Sequence, residues 1–188
     1  MRPQIGIGRS AGMGLGSKAD LKRALRPVPR FERAVREVSR MFSEAGIRHA
    51  LVGALGANAY RDRPRTTEDI DFLVGDEAFQ SHAGGYVTMK VPVVEFDGID
   101  VDQVPLTRSL RVVEEGLARA ELSEGVPIAP VDVIVVMKLL AGRTQDLADI
   151  EAIVASGADL DMLRAAVRRA APESASTLEK LIQNAQRG

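Results

Sequence analysis

Two carboxylates one residue apart in an apolar strand limit what this chain can fold into more than any other feature of its sequence. In the run RPRTTEDIDFLVGDE, residues 63–77, Ile70 and the apolar residues 72–74 favour a β-strand. Residues two apart on a strand point to the same face, so Asp69 and Asp71 are expected side by side, where like charges repel. Either water screens this repulsion on an edge strand, or a cation lies between the two groups. The second alternative predicts a metal site.

A second acidic strand follows in the run GIDVDQVPL, where the period of two places Asp100 and Asp102 on one face. Three carboxylates on two neighbouring strands suit a hard, oxygen-ligated cation, Mg²⁺ or Mn²⁺. The composition points the same way. The sequence has no cysteine and only two histidines, which argues against thiolate sites and multi-histidine zinc sites.

The third ligand can be Asp100 or Asp102, because the period alone does not separate them. We expect the two acidic strands to be antiparallel neighbours, with one of these acids level with Asp71. Asp100 follows the Asp97-Gly98 turn closely and is expected to be exposed. Asp102 is expected deeper in the strand, where a carboxylate is costly to bury unless a cation compensates it. We therefore predict Asp102 as the third ligand.

A glycine precedes the first acidic strand in a position that suits phosphate binding. In LVGALGANAY, Gly53 follows a short buried strand and comes directly before a predicted helix. Glycine there allows backbone N–H groups to approach a phosphate closely. The alternative is a tight turn with no ligand.

Taken in order, these features resemble the nucleotidyltransferase-fold superfamily, whose pattern is a strand, Gly-Gly or Gly-Ser, a helix, and then Asp-x-Asp. The run VGALGANAYRDRPRTTEDIDFLV is similar to the AbiEii-type and related small bacterial nucleotidyltransferases. The matching residues are Arg65, Thr67, Asp69, Ile70 and Asp71. The later run MKLLAGRTQDLADIEAI is similar to a Lys-containing helix of the same group. There the matching residues are Lys138, Arg143, Asp146 and Asp149.

The resemblance implies a metal-dependent enzyme that moves a nucleoside monophosphate from an NTP to an acceptor hydroxyl of RNA, protein or a small molecule, with pyrophosphate as the leaving group. It implies that the catalytic carboxylates, which also bind Mg²⁺ or Mn²⁺, are Asp69, Asp71 and Asp102. It implies that the nucleotide-binding residues are Gly53, Ala54, Arg65, Thr67 and Lys138. A toxin role in a toxin–antitoxin or phage-defence pair, with an antitoxin protein as partner, is also implied.

Several alternatives remain at this level. Ala54 stands where the family has a second Gly or Ser, which favours a nucleotide- or RNA-binding module without catalysis. A small-molecule adenylyltransferase that modifies an antibiotic is a third reading. Arg65 can be a surface charge or an ion-pair partner, and Lys138 can point to solvent. Asp146 and Asp149 are expected to cap helices and form ion pairs.

The pattern of predicted elements is that of an α/β (α+β) fold with a small mixed sheet of the nucleotidyltransferase type, flanked by helices. YVTMKVPVVEF and IDVDQV are predicted as two strands of a hairpin. We divide the chain into a flexible leader (1–19), an α/β core (20–125) and a helical C-terminal region (126–188). The apolar runs are too short to span a membrane and no secretory signal is evident, so we expect a cytoplasmic protein without a membrane partner.

Overall fold

The structure is a computed structural model that describes residues 18–105 and 114–187. The predicted leader lies outside the described residues except for its last two. Of these, Ala19 is buried, and its backbone N–H donates to Oε2 of Glu121 at 3.1 Å.

In the described parts of the chain, eight strands form two sheets. The strands are β1 (His49–Leu51), β2 (Asp69–Val74), β3 (Phe79–Ser81), β4 (Val87–Met89), β5 (Glu95–Phe96), β6 (Ile99–Pro105), β7 (Glu121–Ser123) and β8 (Val126–Ile128). The main sheet has the order β5-β6-β2-β1-β8-β7, and β3 pairs with β4 in a separate two-stranded sheet. In the main sheet β2 is parallel to β6 and β1 is parallel to β8, whereas the other pairs are antiparallel. The sheet is therefore mixed, as predicted.

The same described residues form eight α-helices. They are α1 (Leu21–Leu25), α2 (Glu32–Glu44), α3 (Gly53–Asn58), α4 (Glu114–Ala118), α5 (Val131–Ala141), α6 (Thr144–Ala155), α7 (Leu160–Ala170) and α8 (Ala175–Arg187). The four helices α5 to α8 make up most of the C-terminal region, so the predicted class of α/β fold with a helical C-terminal part is confirmed. Val126–Ile128, the first residues of that region, belong to the sheet as β8.

The core lies where the amphipathic helix α2 packs against β1 and β8. Its apolar residues recur at helical spacing and are buried, among them Val35, Val38 and Phe42. Phe42 packs edge-on against Phe72 of β2, with ring centroids 5.5 Å apart. On β2 the buried residues alternate with half-buried ones at the start of the strand, which leaves its first two carboxylates facing away from this core.

The hairpin turn between β5 and β6 is the one expected from Asp97-Gly98. Both residues have positive φ, 53° and 72°, as a two-residue hairpin turn of type I′ requires. The strand predicted before this turn is wrong in its extent, however. Val87–Met89 pairs with β3, and only Glu95–Phe96 joins β6 in the main sheet. The residues between them include Pro92, which has no N–H to contribute to a ladder.

Among the described residues, no helix combines the length and apolar character needed to cross a membrane.

Candidate functional site

Three carboxylates from β2 and β6 converge at one point of the sheet. Asp69 and Asp71 lie on the same face of β2 and are half-buried, whereas Ile70 and Phe72 point into the core and are fully buried. The parallel register of β2 and β6 places Asp102 directly beside Asp71. Each of the three acids offers an oxygen, and these oxygens lie within 4.8 Å of one another. An all-oxygen set of this kind suits a hard divalent cation.

Two parts of the reasoning that led to Asp102 are wrong. The acidic strands are parallel neighbours, not antiparallel ones, and Asp102 is exposed, so no burial cost singles it out. The register between β2 and β6 selects Asp102 instead, because it pairs Asp102 with Asp71. Asp100 is paired with Asp69, is also exposed, and stands outside the group of converging oxygens formed by the described residues.

Asp71 is the most perturbed of the three acids. Burial raises the pKa of Asp71 to about 6, and the charges of Asp69 and Asp102 add to the increase. The more distant charges of Lys138 and Arg143 act in the opposite direction. A cation bound by the three acids would remove the repulsion among them, so the triad is better suited to a bound metal than to being empty.

The Thr67 side chain contacts the triad directly. Its hydroxyl donates to Oδ1 of Asp69 at 2.6 Å. A charge-assisted hydrogen bond of this length fixes the orientation of the Asp69 carboxylate.

Gly53 and Asp71 occupy neighbouring space in a way that only glycine allows. Gly53 is the first residue of α3 and has φ +58°, a left-handed conformation that is unfavourable for residues with a side chain. A Cβ atom there would overlap Oδ2 of Asp71. The absence of a side chain at Gly53 therefore leaves the space that the Asp71 carboxylate occupies at the start of α3. The neighbouring Ala54 is buried in the wall of the same cleft.

A network of buried ion pairs borders the same cleft, and its centre is Asp149 of α6. Asp149 is fully buried and accepts from Nε and a terminal nitrogen of Arg65, at 2.8 and 2.9 Å, and from Nζ of Lys138 at 2.8 Å. Arg61 also pairs with Asp149. Burial raises the pKa of Asp149, but the hydrogen bonds from Arg65 and Lys138 outweigh it and lower that pKa to about 2.

The network extends through Lys138 to the mouth of the cleft. Nζ of Lys138 also contacts Asp146, at 2.9 Å, and Arg143 donates to the same carboxylate at 2.7 Å. The Arg143 side chain is 78% exposed, so its guanidinium can meet a ligand while holding this pair. Four cations thus surround two buried carboxylates. The members of this network that line the cleft are three cations and one carboxylate, namely Arg65, Lys138, Arg143 and Asp146, so they carry an excess of positive charge. We call these four residues the cationic wall. The ion pairing expected for Asp146 and Asp149 is found, and Lys138 does not point to solvent.

The eight residues predicted as catalytic or nucleotide-binding all line one cleft of about 1030 Å³. These are Gly53, Ala54, Arg65, Thr67, Asp69, Asp71, Asp102 and Lys138. Asp146, which the sequence resemblance also marked, lines the cleft as well, whereas the sequence did not indicate Arg30, Met137, Leu140 and Gln145. Arg143 carries a sequence signal, because it belongs to the same helical run as Lys138. The apolar residues carry none, since their exposure depends on how α5 packs.

No protein-family model matches the chain, and no curated protein matches it. Among solved structures, the chain is similar to an antigenic nucleotidyltransferase-like protein from Paracoccidioides brasiliensis. The two share 14% sequence identity with a TM-score of 0.45, over 81% of this chain and 94% of the other. At that identity and TM-score the likeness carries no part of the functional argument.

Proposed function

We propose that the chain is a metal-dependent nucleotidyltransferase, which transfers a nucleoside monophosphate from an NTP to an acceptor hydroxyl. The observation that carries this proposal is the pairing of opposite charges in one cleft. A triad of carboxylates and the cationic wall line the same cleft, and a glycine in left-handed conformation lies beside the triad. A metal–triphosphate complex has matching charges, because the cation meets the carboxylates while the phosphate oxygens meet the cations.

In this proposal Asp69 and Asp71 hold the cation from one strand and Asp102 holds it from the next. Mg²⁺ or Mn²⁺ bound there supplies charge neutralisation for the phosphates and for the leaving pyrophosphate. Thr67 keeps the Asp69 carboxylate in its binding orientation. Asp102 is the most exposed of the three, and we assign to it the removal of the proton from the acceptor hydroxyl.

The cationic wall and the start of α3 orient the phosphates. The backbone at Gly53 and Ala54 borders the triad, and the first N–H groups of a helix have no partner within that helix. Lys138 and Arg65 are held by Asp149, so each meets the phosphates as part of a fixed array and not as a mobile charge. Arg143 is the exposed member of the array.

The test is the coupling between metal and nucleotide binding. By calorimetry the parent protein should bind NTP tightly only with Mn²⁺ or Mg²⁺ present, because each partner offsets the charge of the other. Asp69→Asn and Asp71→Asn should abolish this coupling. Asp161→Asn is the matched control, since its side chain lies on α7 and is 97% exposed. NTP binding without any metal dependence would contradict the proposal.

A second candidate is a nucleotide- or RNA-binding module without catalysis, favoured by Ala54 in place of the second Gly or Ser of the family pattern. Labelled NTP separates the two. An enzyme releases pyrophosphate and labels its acceptor, whereas a binding module retains the nucleotide unchanged. The acceptor, including RNA or an antibiotic, is read from where the label appears.

The toxin role and the antitoxin partner rest on the sequence resemblance alone. If the chain is a toxin, its expression in growing bacteria should arrest growth, and expression of Asp71→Asn should not. Equal growth with both would remove this role and leave the transferase proposal intact.

A further inference from the structure

The last two turns of α5 present apolar side chains to the cleft beside Lys138. Lys138 is buried within its ion pairs, but the residues around it in the last two turns are open to the cleft. These are Met137, which is half-buried, Leu140, which is 36% exposed, and Ala141, which is exposed. We call these three residues the α5 shelf.

Single exposed apolar residues are normal on protein surfaces, but the α5 shelf is not of that kind. The other large apolar side chains that are well exposed in the described parts of the chain lie outside the cleft. They are Tyr86, Val87, Val94 and Leu122. The shelf instead joins three apolar side chains at helical spacing inside the cleft that also holds the carboxylate triad. Such a surface matches the flat, apolar face of an aromatic ring.

The direction of α5 separates the end of the shelf from α3. The start of the helix lies against α3, where Cδ1 of Ile134 is 3.1 Å from the position of a Cβ on Gly56. From Ile134 to Ala141 the helix rises by about 10 Å, so its last turn lies about that far along α5 from the residue that packs against α3. A nucleotide with its phosphates between the triad and Gly53 extends its sugar and base by a comparable length.

We propose that the α5 shelf receives the face of the nucleotide base, with Leu140 as its main contact. This inference rests on the proposed function, since it concerns the nucleotide of the same cleft. A contact with the face alone does not read the hydrogen-bonding edge, so the shelf should bind the four bases with similar strength. It would add affinity to a site that otherwise recognises only the metal and the phosphates.

The experiment compares nucleotides with inorganic tripolyphosphate, which has the phosphates but no base. Binding of each to the Mn²⁺-loaded protein is measured by calorimetry for the parent, Leu140→Ser and Met137→Ser. Both variants should bind ATP, GTP, CTP and UTP about tenfold more weakly, the order expected for one lost apolar contact. Their affinity for tripolyphosphate should equal that of the parent. Leu122→Ser is the control, because Leu122 is 72% exposed on β7, outside the cleft.

The outcomes separate the shelf from the site. Nucleotide affinities of both variants equal to the parent's would overturn the shelf and leave the transferase proposal standing. An equal loss for nucleotides and tripolyphosphate would also overturn it, because the phosphate site would then be distorted. Normal nucleotide binding with loss of transfer would assign the shelf to the acceptor instead. A parent protein that binds neither probe with Mn²⁺ would refute the proposed function itself.

Discussion

Replacing Asp71 by Asn should stabilise the metal-free protein while removing its proposed activity. In the folded state the pKa of this carboxyl is about 6, against an ordinary value of 3.8. That gap corresponds to at most about 3 kcal/mol of free energy by which ionised Asp71 opposes folding. Water reaches the cleft and screens part of this effect, so we expect a gain of about 1–3 kcal/mol for Asp71→Asn at pH 7.5. Asn has nearly the same shape, so the packing against Gly53 is kept.

The pH dependence gives the sign of this effect. Since the pKa is raised on folding, the folded parent binds its proton more readily than the unfolded chain does between about pH 6 and 3.8. The parent therefore gains stability from this group as the pH falls through that window, whereas Asp71→Asn does not. The advantage of the variant should be full above about pH 7 and should vanish near pH 4.

The measurement is urea unfolding of both proteins in EDTA at several pH values between 4 and 8. With Mg²⁺ and NTP added at neutral pH the order should reverse, because ligand binding stabilises only the parent. Asp161→Asn serves again as the control, and its difference from the parent should be small at every pH. The reasoning would be refuted by a variant that is less stable than the parent in EDTA at pH 7.5, or by a stability difference that does not change with pH.

Three further predictions concern the residues that hold the site together. Gly53→Ala should lose metal–nucleotide coupling and should lose more stability than the control Gly125→Ala. Both variants lose about 1–2 kcal/mol because of the positive φ, but only at Gly125 does the new Cβ have open space around it. Equal losses of stability in urea unfolding would show that the overlap with Asp71 has no role. Thr67→Val should weaken Mn²⁺ binding in the presence of NTP by about tenfold or more with an unchanged melting temperature, as expected for a residue that orients a ligand; Thr66→Val is its control, and an equal effect of both would contradict the assignment. Asp149→Asn should destabilise the fold by about 3–5 kcal/mol, because three cations lose their buried partner. Glu179→Gln, which weakens an exposed pair with Arg164, should cost less than about 1 kcal/mol in the same unfolding assay.

The sequence predicted the elements whose geometry depends on near neighbours. The alternation around Asp69 and Asp71 placed both carboxylates on one face of a strand, because the period of two is a property of the extended backbone. The spacing of apolar residues predicted α2 and the C-terminal helices, because a period of about 3.6 residues is a property of the helical backbone. Asp97-Gly98 predicted the hairpin turn, since few residue pairs accept two positive φ angles.

Other features were decided only when distant segments packed together. Local patterns do not encode strand direction, so the parallel pairing of β2 and β6 was not foreseen, and the reason for choosing Asp102 was wrong although the register sets it beside Asp71. The pKa of Asp71 is likewise a tertiary property, because burial and the charge of Asp102 from another strand produce it.

The cationic wall and the α5 shelf show the same division. The sequence resemblance predicted Lys138 as a site residue. Its partner Asp149 also binds Arg65, which lies 84 residues from Asp149 along the chain. Nothing in the sequence marked Leu140 for the site, and it lines the cleft because of how the last turn of α5 is packed. The sequence by itself therefore determined which chemical groups each strand and helix presents. The tertiary structure decided which of them meet, because charge–charge and apolar contacts depend on distances that only the packed chain defines.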